Sequence, residues 1–348
     1  MERVRTSVDQ VDVEGLKEVL PFIRRSYLRL LAKRSLSGER VAADDSSGLP
    51  ELWVHRADAA VSSKRPLVIE LHGGGFALGD ARKSDAAREW IKDSFDVNVV
   101  GVNYRLAPEH PFPSALQDVV NAVRYCSEHA GDFGVDREKV VLLGFSAGAN
   151  LALAASFALT EEHGDFETPV RPSALVLHYP FLDAFSQPKK SGRDLDLPYS
   201  LMVAFNQWYA AGADTRNPLL SPAFAGEEQL AALPPVVAYP VSGDALEQSC
   251  IDFCNRLQSA GGDVRMHTVA GQYHGYVEDA VDLPSYLAQT MPDTIRARPH
   301  DFVEAAWDNL RSSLSEVLGA PARAIPRPAE GYEELLGIFQ GDGARRRD

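Results

Sequence analysis

The feature that most constrains this chain is the break at Gly144-Phe145-Ser146-Ala147-Gly148. A short apolar run, Val140 to Gly144, ends there, and a long apolar helical pattern, Ala147 to Thr160, begins at once. A chain can turn this abruptly from a buried strand into a helix only where close neighbours lack side chains, hence glycine on both sides of the serine. Such a turn puts the Ser146 hydroxyl at the mouth of a sheet, beside the positive potential of a helix N-terminus. A helix-capping serine is the ordinary use of this residue, but capping does not require the two glycines.

The rest of the chain repeats the same alternation. Apolar, β-branched runs at Leu67–Leu71, Asn98–Asn103, Val140–Gly144, Ala174–Tyr179, Val236–Val241 and Val264–Val269 are separated by helical patterns. The helices expected are Ser84–Ser94, Pro113–Glu128, Ala147–Thr160, Leu246–Ala260 and His300–Leu318. Nearly continuous apolar strands are those buried on both faces, so the expected fold is α/β, with a mostly parallel central sheet flanked by helices. Residues 51–320 form its core. Two stretches fall outside the alternation: a charged, helical segment over residues 1–50, and an insertion at about 184–216. The insertion opens with Gln187-Pro188-Lys189-Lys190-Ser191-Gly192 and carries Phe205, Trp208 and Tyr209. Both are expected to build a helical cap. Residues 321–348, ending in Arg345-Arg346-Arg347, read as a loosely held tail.

A serine hydroxyl is a poor nucleophile without a base to take its proton and a third group to orient that base. Around a serine elbow the chain order is serine, acid, histidine, each on a loop at the carboxyl end of a strand. His274, in Gly271-Gln272-Tyr273-His274-Gly275-Tyr276, follows the last apolar run and meets that condition, whereas His267 falls within the run and reads as structural. Asp244, after Val236–Val241, is the expected acid, although a helix-starting aspartate is a common alternative use. Its rival Asp252 lies two turns into the following helix.

A nucleophile of this kind also needs donors waiting for the oxyanion. His72-Gly73-Gly74-Gly75-Phe76 offers them: the N–H groups of Gly74 and Gly75, with that of Ala147 after the serine, form the expected oxyanion hole, and Gly73 permits the turn. A phosphate-binding loop would continue with a Lys-Ser/Thr pair, which is missing here. Phe76, Phe205, Trp208 and Tyr209 are candidates for the substrate pocket, although aromatic residues at helical spacing often simply pack.

Composition narrows the partners. Thirty-five basic against 49 acidic residues give a net charge of −14, which disfavours nucleic acid and anionic membrane surfaces. The segment Gly15–Lys33 is interrupted by five charges and reads as neither signal peptide nor membrane span. Cys126, Cys250 and Cys254 are few and odd in number, which fits a reducing, cytoplasmic setting; Cys250 and Cys254 read as small buried residues of one helix rather than a redox pair. Neither metal nor organic cofactor is needed for the chemistry expected.

Taken with Tyr104-Arg105-Leu106-Ala107-Pro108-Glu109-His110-Pro111-Phe112-Pro113 and Asn217-Pro218-Leu219-Leu220-Ser221-Pro222, these motifs resemble the hormone-sensitive lipase family of α/β-hydrolases over residues 50–280. The resemblance implies a serine carboxylesterase acting on small, short-acyl esters beneath a cap. It leaves open a biosynthetic deacetylase, lactone hydrolase or acyl transferase with the same triad, and a ligand-binding receptor of the same fold. The chain departs from the family at Phe145, where an acidic residue is usual, at Ala149, where glycine is, and at Ala245-Leu246-Glu247 after the acid. Glu109 and His110 are expected to brace the site rather than to react. Oligomeric state is not legible.

Overall fold

The computed structural model describes residues 11–31, 36–57, 64–161, 170–186, 199–281 and 299–326. Among them, eight strands form one sheet: β1 (Glu39–Val41), β2 (Glu51–His55), β3 (Arg65–Leu71), β4 (Asn98–Asn103), β5 (Val135–Phe145), β6 (Ala174–His178), β7 (Val236–Tyr239) and β8 (Val264–Met266). Their spatial order is β1-β2-β4-β3-β5-β6-β7-β8. From β3 to β8 every pairing is parallel, while β2 runs antiparallel to both β1 and β4.

Side chains alternate across this sheet as strand geometry requires. Leu67, Ile69 and Leu71 of β3 and Val140 and Leu142 of β5 enter one core, and Val68, Val141 and Leu143 enter the other. The first core is closed by α3 (Ser114–Glu128), α5 (Ala147–Glu161) and α8 (Glu247–Ser259), the second by α2 (Asp85–Phe95) and α10 (Pro299–Leu318). The strands read as apolar runs because both faces are covered. α5 is apolar all round for the same reason: it lies between the sheet and α3.

Four short or capping helices complete the described chain: α1 (Val13–Leu31), α4 (Ala130–Phe133), α6 (Tyr199–Ala210) and α7 (Glu227–Ala231). A fifth, α9 (Tyr276–Val281), begins two residues after His274 and packs on α10. α1 packs against α6, and Leu20 of α1 is buried in the first core, so the two segments expected to form the cap do meet.

The structure corrects the expected outline in three places. Residues 39–41 belong to the sheet as its edge strand, so the N-terminal 50 residues are not helical throughout. The segments expected as Val236–Val241 and Val264–Val269 stop pairing as strands at Tyr239 and Met266, leaving their last residues to the loops that carry the site. Residues 321–326 are not loose: the Arg323 N–H donates to Ser94 O at 2.7 Å and Ile325 packs on the second core. The remainder of the tail, including Arg345–Arg347, and Gln187–Gly192 of the insertion lie outside the described residues.

Candidate active site

Ser146 sits on the turn between β5 and α5 with φ of 51°, in the left-handed region that a residue with a side chain seldom occupies. Its neighbours explain the two glycines. A Cβ on Gly144 would come within 2.5 Å of the Ala149 backbone, and one on Gly148 would land on the carbonyl oxygen of Leu71. The turn is pinned by the Ser146 N–H, which donates to His178 O at 3.0 Å, and by the Ala149 N–H on Ser146 O at 3.1 Å. Phe145 lies in the second core and stacks on His178, at 5.4 Å between ring centres.

Residues far apart in the chain converge on Ser146. His274 Nε2 is 2.9 Å from Ser146 Oγ, and His274 Nδ1 is 2.8 Å from Asp244 Oδ2. Asp244 follows β7 and His274 follows β8, so the parallel sheet delivers both to the edge that holds the elbow. Burial disfavours the Asp244 carboxylate, but the charge and N–H of His274, with the backbone N–H groups of Leu246 and Ala245, outweigh it and hold the carboxyl below its usual range. Asp252 lies on α8 and is bonded by Gln248 instead, while His267 pairs with Glu316 at 3.1 Å.

The glycine loop after β3 is shaped by Gly74 (φ 118°) and Gly75 (φ 58°). Among the described residues, the N–H groups of Gly74, Gly75 and Ala147 donate to no protein acceptor. Donors left unpaired at a cavity wall are available to an oxyanion. The peptide unit that begins this loop is held at both ends: Tyr104 OH donates to His72 O at 2.7 Å, and the Gly73 N–H donates to Glu278 Oε1 at 2.9 Å. Burial pushes the Glu278 carboxyl up; Lys83, the Gly73 N–H and His72 oppose it, and Glu70 adds to it. Glu278 was not legible beforehand, because nothing local marks a helical glutamate that bonds a residue 205 positions away.

A cavity of about 480 Å³ opens over Ser146 and His274. Leu16, Leu20 and Ile23 of α1 and Phe205 and Trp208 of α6 roof it; Glu278, Asp279 and Lys83 lie along its floor. Phe76 lines a much smaller cleft that Ser146 also borders. Tyr209 lines neither space, which corrects its expected place in the pocket: its ring stacks on Phe76 at 3.7 Å and 3°, on the inward face of α6, and is buried there. Arg24 of α1 ties the roof to the core. Its Nε donates to Ala77 O at 2.8 Å, Nη1 to both carboxylate oxygens of Glu109 at 2.7 and 2.8 Å, and Nη2 to Ala107 O. Glu109 thus holds α1, rather than bracing the site directly. Cys126, Cys250 and Cys254 are buried and free.

Comparison with known proteins returns the same architecture. A family model described as alpha/beta hydrolase fold matches residues 68–278. The chain is 32% identical over 231 residues to the esterase LipI of Mycobacterium tuberculosis, covering 66% of this chain and 71% of that protein. It is 30% identical over 214 residues to an arylesterase of Saccharolobus solfataricus, covering 61% and 68%. Among solved structures, EstE1, a thermostable carboxylesterase cloned from a metagenomic library, superposes with a TM-score of 0.67 at 27% identity, covering 85% of this chain and 97% of that one.

Proposed function

The chain belongs to the α/β-hydrolase family, and on that premise we propose that Ser146, His274 and Asp244 are its catalytic triad, with Gly74, Gly75 and Ala147 as oxyanion donors. The protein is a carboxylic ester hydrolase. The observation that carries the residue assignment is the continuous relay from Ser146 Oγ to His274 Nε2 and from His274 Nδ1 to Asp244 Oδ2.

In the reaction the Ser146 proton passes to His274 Nε2 as Oγ attacks the ester carbonyl. The imidazolium is held in position, and stabilised, by the Asp244 carboxylate. Charge developing on the carbonyl oxygen meets N–H groups already in place, each contributing about 3–4 kcal/mol in the transition state. Collapse of the intermediate breaks the C–O bond, and His274 returns the proton to the leaving alkoxide. A water molecule, deprotonated by the same nitrogen, then attacks the acyl-enzyme and releases the carboxylic acid.

α1 and α6 serve as the two halves of the cap, and the expected substrate is a small-molecule ester. Among the described residues no helix is long and apolar enough to cross a membrane. Three free, buried thiols support a cytoplasmic setting. An intact relay argues against the receptor reading, which would leave the triad idle. The test is release of p-nitrophenol from short p-nitrophenyl esters: wild-type protein turns over and Ser146→Ala falls to background. Equal rates in both would remove the assignment.

A further inference from the structure

Ser146 borders two spaces of very different size. The large cavity measures about 480 Å³ and is bordered by His274. The other is a cleft of about 20 Å³ enclosed by Gly75, Phe76, Phe181, Met202, Phe205 and Asn206, and His274 does not border it. A space of that size holds about one water-sized group. Its walls are braced: Phe76 is stacked on Tyr209 and meets Phe181 edge-on at 5.7 Å, and Met202 is buried.

Proton bookkeeping decides which arm of the ester enters which space. The leaving oxygen must lie within hydrogen-bond reach of His274 Nε2, because that nitrogen returns the proton as the C–O bond breaks. The chain attached to that oxygen therefore extends into the space His274 borders. The acyl chain, on the far side of the carbonyl carbon, is directed into the cleft. We propose that the physiological substrates join a one- or two-carbon acyl group to a bulky, largely apolar alcohol: the acyl group fills the cleft and the alcohol lies under Leu16, Leu20, Leu201 and Trp208. In the net reaction water is consumed, and a short carboxylic acid and the large alcohol are released. Met202, as an unbranched side chain on α6, sets the depth of the cleft.

This rests on the esterase reading, and two isomeric esters separate the two claims. Octyl acetate and ethyl octanoate have the same formula and apolar content, with the long arm on opposite sides of the carbonyl. The wild-type protein is expected to favour octyl acetate in kcat/KM by roughly 10- to 200-fold, the range set by methylene groups that a pocket cannot admit. Met202→Ala deepens the cleft and is expected to raise kcat/KM for p-nitrophenyl butyrate relative to the acetate by roughly tenfold; Met202→Val serves if the alanine variant does not fold. Equal or faster cleavage of ethyl octanoate, abolished in Ser146→Ala, overturns the assignment of the arms while leaving the esterase reading intact. Turnover of p-nitrophenyl acetate without turnover of octyl acetate overturns it as well. If none of the esters is cleaved, the esterase reading falls and takes this proposal with it.

Discussion

Glu278 touches no atom of the proposed triad, yet it holds the first peptide of the glycine loop. Its carboxyl fixes the Gly73 N–H, and through it the direction of the next two peptide units. Glu278→Ala should lower kcat by about 10- to 100-fold with a smaller change in KM, since a displacement near 1 Å costs about that much; Glu278→Gln, which keeps an acceptor oxygen, should recover most of the loss. Asp244 acts on the imidazole instead. Its folded pKa lies below the ordinary 3.8, so its ionised partnership with His274 is present above pH 3.8 and is lost only as pH falls through the lower folded value. Asp244→Asn, which removes the charge at every pH, should reduce kcat by on the order of 10⁴-fold, measured at neutral pH. His178 behaves in the opposite chemical sense. Burial pushes it down to about 3 from 6.5, so between those values the unfolded chain binds a proton that the folded one does not. Stability should therefore fall with acidification below pH 6.5 by about 1.4 kcal/mol per pH unit from this group. Urea denaturation at several pH values, compared with His178→Phe, isolates that slope.

Two elements shape the site: α1 covers it and the β5–α5 turn carries Ser146. α1 is tied to the core through Arg24, whose three nitrogens reach Ala77, Ala107 and Glu109 while the neighbouring Ile23 and Leu20 roof the cavity. Arg24→Ala should loosen this roof: hydrogen exchange is expected to quicken across residues 13–25, and KM to rise severalfold. Unchanged exchange would show that packing of α1 on α6 suffices without the guanidinium. The β5–α5 turn is less forgiving. Gly148→Ala would drive a methyl group into the Leu71 carbonyl, backbone against backbone, at a cost of about 3 kcal/mol in unfolding free energy, the upper end of what overpacking exacts.

At the scale of the whole molecule, the part legible in the sequence is the part whose signals are local or strictly ordered. Strands β3 to β7 announce themselves because a sheet covered on both faces demands apolar runs, and the elbow announces itself because only glycine fits beside Leu71 and Ala149. The order of Ser146, Asp244 and His274 follows from the parallel topology. β1 and β2 escape notice: β1 is three residues long, mostly exposed and charged at Glu39 and Arg40, and carries no alternating pattern. The Arg24 tie and the Glu278 bond escape for another reason, since each joins residues 53 to 205 positions apart and nothing local marks Arg24 or Glu278. Tyr209 packs on Phe76 rather than facing the cavity, a distinction that helical spacing on α6 does not carry. The roof over Ser146 is assembled from one helix near residue 20 and another near residue 205, while Ser146, His274 and the glycine loop all stand at one end of the sheet. On the proposed assignment, much of what would meet the ester's alcohol arm and what would cut it come from separate lengths of polypeptide, so a lineage carrying this scaffold can acquire new appetites by rewriting two helices without disturbing the sheet end that holds Ser146.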